Sequence, residues 1–223
     1  MKFWGQVRTI TSHELLIERR SGETWSIITP FAAAALMTIP LAIGINLPLI
    51  SSIGWPIFWS ITLLFGMQVA WRHVSGERNA MRDLIILLGV DPAARFTGRV
   101  IASGVLLSGF MLVIGVLTVF LYSPDALARW PLLILVGLLF AAGLAQLATL
   151  AADLTIGLGA RSSLAPLLVA PLALPLLIGA AQATNSLTLA SGILPWLLML
   201  VVADLLLAIV GVLTARPLEE DAT

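Results

Sequence analysis

Six separate apolar stretches, each close to the length of a bilayer crossing, run through this chain at about 25–46, 54–71, 100–122, 131–152, 163–183 and 193–214. A helix rises about 1.5 Å per residue, so about 20 apolar residues span a hydrocarbon core of roughly 30 Å. The pattern predicts an all-α integral membrane protein with six transmembrane helices. Composition agrees: 59% of the 223 residues are hydrophobic and 11% charged, against about 45–50% and about 25% in soluble domains. A water-soluble enzyme is excluded.

Charge matters here by position. Lys and Arg total 12 and Asp and Glu total 12, so no excess is available to hold nucleic acid by counterion release. In the six-span layout Lys2, Arg8, Arg19 and Arg20 precede the first span, and Arg72, Arg78, Arg82, Arg95 and Arg99 lie between the second and third. Arg161 and Arg216 fall on the same side, leaving Arg129 alone on the other. Positively charged loops stay cytoplasmic, so both termini are expected there. Trp25 and Trp71 fall at inner span ends and Trp55, Trp59, Trp130 and Trp196 near outer ends, where interfacial tryptophans anchor to lipid.

Missing residue types remove whole classes of chemistry. With no cysteine there are no disulfides, thiol nucleophiles, iron–sulfur clusters or Cys-bound zinc. Lys2 is the sole lysine, so a phosphate-binding loop ending in Gly-Lys-Ser/Thr cannot form. Any ATP that drives this protein must be bound by another chain. His13 and His73 lie apart on the cytoplasmic side and read as interfacial residues, and no Ser-His-Asp nucleophile motif is present. No catalytic, cofactor-binding or metal-binding residue is therefore assigned.

Three polar segments frame the 25–214 membrane domain. Residues 1–24 carry seven charged side chains and no apolar stretch, which argues against a cleaved signal peptide. Phe3, Val7, Ile10 and Ile17 recur at near-helical spacing, with Arg8, Glu18 and Arg19 on other faces, as in a helix lying in the headgroup plane. The uncharged, Pro-containing connection 47–53 should close a tight hairpin between the first two spans. Residues 72–99 are too long for a turn: Glu77, Arg78, Arg82 and Asp83 precede a run from Leu84 to Leu88, ended by Gly89 and Pro92. This is a short amphipathic helix, either the contact for a separate ATPase or a connector lying on lipid. Glu77, Arg78, Arg82, Asp83, Asp91 and Arg95 are the candidate ATPase-coupling residues. Residues 215–223 form a cytoplasmic tail.

Polar residues within the spans must find a partner or water. Asp204 falls near the middle of the last span, and Gln146 and Gln182 lie in the fourth and fifth. Each is a proton or gating site, or else a buried interhelical hydrogen-bonding group. Pro166, Pro171 and Pro175 predict a kinked or partly unwound fifth span, a feature of helices that line pathways and also of helices that do not. Asp153 and Arg161 bracket the connection between the fourth and fifth spans as helix-end anchors. Ala141, Ala145, Thr149 and Ala152 form a small-residue stripe suited to close packing within the chain or between copies.

Three stretches carry a family resemblance: Gly76 to Met81 continuing through Val90 to Arg99, Ala160 to Leu168 with Pro171, Pro175, Ala183 and Thr184, and Trp196 to Asp204. In these the chain resembles the haem (heme) exporter protein B family, the permease of the bacterial cytochrome c maturation system, itself one of the six-span ABC-2-type exporter permeases. It departs from the family pattern at Arg82-Asp83 and at Gly98-Arg99. The resemblance implies a non-catalytic subunit of an ABC transporter complex in the bacterial inner membrane. Two copies would pair with two cytoplasmic ATPase subunits that bind ATP-Mg, joined by a haem-handling membrane protein and a small single-span subunit. ATP hydrolysis would serve to export haem or release it to an outer-face chaperone, with haem as cargo and not as a cofactor of this chain. The same architecture also suits another cargo (lipid, drug or polymer). An ion-coupled carrier using Asp204 and a purely structural scaffold are the readings from other classes.

Overall fold

The computed structural model describes residues 2–44, 46–75, 91–125, 129–156, 165–189 and 191–220, with backbone alone over 71–75, 154–156, 165–170 and 215–220. The described residues are almost wholly helical, and no strand occurs among them. Helix α1 covers Phe3–Ser21 and ends at Gly22, whose φ of 63° lets its N–H cap Glu18 O. A π-helical turn over Thr24–Ile28 leads directly into α2, Thr29–Ile43. Thr29 Oγ1 donates to Thr24 O at 2.7 Å, giving that widened turn a side-chain partner. Then follow α3 (Leu47–Ser75), α4 (Pro92–Tyr122), α5 (Trp130–Ile156), α6 (Ala165–Thr188) and α7 (Leu194–Glu220).

Among the described residues five segments are long and apolar enough to cross a membrane: Thr24–Ile43, Leu47–Ala70, Pro92–Tyr122, Trp130–Asp153 and Leu194–Thr214. The stretch expected as the fifth of six spans is α6, a helix of 24 residues packed against α3, α5 and α7. The outward face is apolar: Phe31, Leu41, Leu112, Phe120, Leu205, Leu206 and Leu213 are all exposed. Such a surface is stable against lipid chains and not against water.

Helix α4 is the hub, touching α1, α2, α3, α5 and α7. Its inward residues Leu107, Phe110 and Ile114 join Trp59 and Val69 of α3 and Phe140 and Leu144 of α5 in one continuous core. Glycine permits two of the closest approaches. A Cβ on Gly66 would meet Leu107 Cδ2 at 3.1 Å and Leu144 Cδ2 at 3.3 Å, and one on Gly98 would meet Ile10 Cγ2 at 2.9 Å.

Several expectations change. The 47–53 connection is helical, because Asn46 Oδ1 accepts from Leu49 N at 3.4 Å and Pro48 sits in a first turn where its missing N–H costs nothing. The link between α2 and α3 therefore shrinks to residues 44–46, Gly44 turning the chain at φ 73°. Helix α4 likewise starts at Pro92 and not near 100, since Asp91 caps it by accepting from Ala93 N at 3.1 Å. Residues 92–99, assigned from sequence to the long loop, are its first two turns, and α7 continues as helix to Glu220, beyond its bilayer-length apolar part Leu194–Thr214. Helix α6 stays helical through Pro171 and Pro175, so it is not unwound there. Trp59 is no lipid anchor: it is 1% exposed, and its Nε1 donates to Thr184 Oγ1 at 3.0 Å.

Candidate functional site: a polar clamp where the first helix meets the bundle

Polar chemistry concentrates at the end of the bundle where α1 lies across the start of α4. Gln6 Oε1 accepts from Asp91 N at 3.2 Å, and Thr11 Oγ1 donates to Gly98 O at 3.0 Å. Val7 and Ile10 pack over Gly98, so this much of the expected apolar stripe faces inward. Phe3 and Ile17 do not follow, and both are exposed together with Trp4 and Leu16. The buried face instead runs through Val7, Ile10, Glu14 and Glu18, at spacings of three and four that share one side of a helix.

Arg99, 2% exposed, is the centre of this clamp. Its Nη1 donates to Asp153 Oδ1 of α5 at 3.3 Å, and its Nε lies 3.9 Å from Glu14 Oε1 of α1. One guanidinium thus joins three helices, using the planar fork that lets Arg serve several carboxylates at once. Burial pushes the Glu14 carboxyl above its ordinary value of 4.5, against the opposing pull of Arg99, His13 and Arg95. Arg95, one turn earlier on α4, is 5% exposed. Glu18, also buried, accepts from Thr24 N at 2.8 Å and from Ser21 Oγ at 3.3 Å, fixing the bend from α1 into α2.

The candidates from the sequence divide. Asp91 and Arg95 stand at the clamp, one as the cap of α4 and the other buried in its first turn. Glu77, Arg78, Arg82 and Asp83, with the expected amphipathic helix around them, lie outside the described residues. Asp153, expected as a helix-end anchor, ties the last turn of α5 to α4 through Arg99, and Arg161 lies outside the described residues. Glu14, Gln6 and Thr11 were not singled out from the sequence, and Arg99 only as a cytoplasmic-side cation and a departure from the family pattern. The signal available was the spacing of Gln6, Glu14 and Glu18 by multiples of four.

Deeper in the bundle, Asp204 is buried at 9% exposure and faces Gly143, where a Cβ would come within 2.5 Å of its Oδ1. Gln146 is buried at 8% exposure on the same helix as Gly143. Gln182 is exposed, and so are Pro171 and Pro175 on α6. Pro166 falls in the first turn of α6. The stripe of Ala141, Ala145, Thr149 and Ala152 is fully used within the chain, each residue being at most 4% exposed.

An all-helical bundle with an apolar exterior, several bilayer-length helices and a polar clamp confined to one end is an integral membrane protein. The family model of the CcmB protein matches residues 6–217, and the chain belongs to that family. It is accordingly a membrane component of the haem exporter for cytochrome c maturation, a complex that contains other subunits. No curated protein matches the chain.

Proposed function

We propose that the chain is the six-span, non-catalytic permease subunit of an ABC exporter, with α6 as the fifth span and both termini in the cytoplasm of a bacterial inner membrane. A cytoplasmic ATPase, which holds ATP-Mg, docks on the segment between α3 and α4. Two copies of the chain pair with two ATPase copies, a haem-handling membrane protein and a small single-span subunit. The hydrolysis drives haem across the membrane or off the complex to an outer-face chaperone. Haem is cargo here and no cofactor is bound by this chain.

The observation that carries this reading is the Arg99 clamp. The proposed docking segment ends at Asp91, whose N–H and carboxylate are both engaged, by Gln6 and by the first turn of α4. Four residues into α4 comes Arg95, and four further Arg99, which ties α4 to α1 and α5. Force applied by an ATPase to the segment would be delivered to three helices together instead of bending one loop. Glu77, Arg78, Arg82 and Asp83 are the residues proposed to meet the ATPase, and Asp91 and Arg95 those that pass its movement on.

A clean deletion in the native host should abolish holo-cytochrome c and be rescued by the wild-type gene. Mild-detergent purification of the tagged chain should bring down an ATPase together with a haem-absorbing subunit. Normal holo-cytochrome c in a deletion strain lacking a second gene copy would overturn the haem reading. Recovery of an ATPase without any haem or cytochrome partner would reassign the cargo to a lipid, drug or polymer.

A further inference from the structure

Four polar side chains among the described residues have buried oxygens without a hydrogen-bond partner: Thr62 Oγ1 of α3 and, on three other helices, Ser103 Oγ of α4, Gln146 Oε1 of α5, and Oδ1 and Oδ2 of Asp204 of α7. The last three residues are 0%, 8% and 9% exposed. The three helices that bear them are in mutual contact, and helical spacing sets all three residues on one seam. On α4, Phe96, Val100, Ser103 and Leu107 recur at intervals of four and three and share a face. Phe96 and Val100 of that face pack with Leu150 of α5 and Leu207 of α7, and Phe96 also lies against Gly211. On α5 the matching face runs Gly143, Gln146, Leu150, and on α7 it runs Leu200, Asp204, Leu207, Gly211. Gly143 meets Asp204 at the upper level and Leu150 meets Phe96 and Leu207 below, so Gln146 falls between these two contacts, while Ser103 stands two turns along α4 from Phe96 on the same face.

An ionised carboxylate cannot be held in such a place without a partner: the cost in an apolar interior is met by pairing or by taking up a proton. No cation among the described residues is placed to pair with it. Among the described residues of the elements packed on α7, the charged groups are Arg95 and Arg99 on α4 and Asp153 on α5, while α6 offers none. Arg99 and Asp153 pair with each other, and Asp153 lies ten residues from Gly143, about 15 Å along the helix. Arg95 lies one turn further still from the seam than Arg99. Phe96, Leu150 and Leu207 close the seam toward that end.

We propose that the α4–α5–α7 seam is a proton-binding site, in which Asp204 is held as the neutral acid and its carboxyl is linked through an ordered water to Gln146 Oε1 and Ser103 Oγ. A buried water with two to four polar partners is the usual resolution of such a cluster. The missing Cβ of Gly143 supplies the room at the carboxyl, since a methyl there would stand 2.5 Å from Oδ1. Gln146 and Ser103 give oxygen acceptors and a hydroxyl that can reorient, which suits a neutral acid better than a fixed ion pair does. The site is independent of which cargo the complex moves.

The test is infrared difference spectroscopy on the full chain with its co-purified partners in lipid nanodiscs, using carbon-13-labelled aspartate and Asp204→Asn for assignment. The wild type should show a protonated-carboxyl band at neutral pH that shifts with the label and is lost in Asp204→Asn. Ser103→Ala and Gln146→Leu should each move the band to higher frequency, because each removes a hydrogen-bond partner of the carboxyl or its water. Absence of the band from the wild type at neutral pH overturns the proposal. Loss of the band on replacing choline chloride with sodium chloride overturns it in favour of a metal-cation site, and an unmoved band in both neighbouring variants overturns the linkage to Ser103 and Gln146.

Discussion

Arg99 and Asp153 join the second turn of α4 to the last turn of α5, Nη1 to Oδ1 at 3.3 Å, with 3% of the arginine side chain exposed. The same guanidinium has Glu14 of α1 at 3.9 Å. A buried cation served by two carboxylates from different helices makes the effect of removing each partner unequal.

Arg99→Met leaves Glu14 and Asp153 facing one another without their shared cation. Breaking a buried pair by removing one partner costs roughly 3–5 kcal/mol. Asp153→Asn should cost distinctly less, because Glu14 still faces Arg99 and because the Asp153 side chain is 19% exposed. Unfolding of the detergent-solubilised variants by increasing dodecyl sulfate should rank them in that order; equal losses would deny Arg99 its central place.

Glu14 gives the clamp a pH dependence. Its folded value is raised by burial above 4.5, so the folded state binds its proton more tightly than the unfolded state does, and this contribution to stability falls as pH rises. The penalty is fully present above the folded value and absent below about 4.5, the unfolded value. Glu14→Gln mimics the neutral acid. It should therefore exceed the wild type in thermal stability at neutral pH, and the difference should close as pH is lowered through the raised value toward 4.5. A difference independent of pH would show that Glu14 acts by packing alone.

Two glycines of α4 should respond to alanine with opposite sign. At Gly98 a Cβ would meet Ile10 Cγ2 at 2.9 Å and the Val7 carbonyl oxygen at 3.2 Å, and the backbone of α1 cannot yield without lifting away. Gly98→Ala should destabilise by roughly 1–3 kcal/mol, the range for overpacking, and should speed proteolytic release of α1. At Gly104 the nearest neighbour would be Ala145 Cβ at 4.0 Å, an ordinary contact. Gly104→Ala should be neutral or stabilising by up to about 1 kcal/mol through helix propensity.

Trp59→Phe keeps the edge-on contacts with Phe58 and Phe140 that the indole now makes. What it loses is the hydrogen bond from Nε1 to Thr184 Oγ1 at 3.0 Å. Thr184 still donates to Ala180 O at 2.8 Å, so the loss should be close to a single net hydrogen bond, about 0.5–1.5 kcal/mol, with some added cost for the smaller ring. Thr184→Val should cost about as much, and the double variant should cost less than the sum of the two, as residues sharing one bond require.

Much of the candidate site was beyond reach of the sequence for one reason. Periodicity reports which side of a helix is apolar, and α1 has apolar residues on two sides: Val7 and Ile10 inward, Phe3, Trp4, Leu16 and Ile17 outward. Which of these faces packs is set by the partner helix, where the bare Gly98 admits Ile10 and where Arg99 attracts Glu14. Span ends were misplaced for a related reason. Charged residues such as Arg95 and Arg99 look like loop in a hydropathy scan, yet a helix can continue through them when neighbouring helices bury and pair them.

The sequence by itself determined that this chain belongs in a membrane, that its helices are bilayer-length, that it has no nucleotide-binding lysine loop, and which family pattern it shares. Those follow from the number and spacing of apolar residues and from residue types that are simply absent, and neither depends on packing. Only the tertiary structure decided that Trp59 is core and not anchor, that the small-residue stripe of α5 is consumed within the chain, and that Asp153 serves α4 through Arg99. It also decided that Ser103, Gln146 and Asp204, spread over 102 positions of the sequence, are all buried on helices that pack on one another. Helix rotation and pairing are chosen by contacts between residues far apart along the chain, and a pattern read along one helix at a time carries no record of its neighbour.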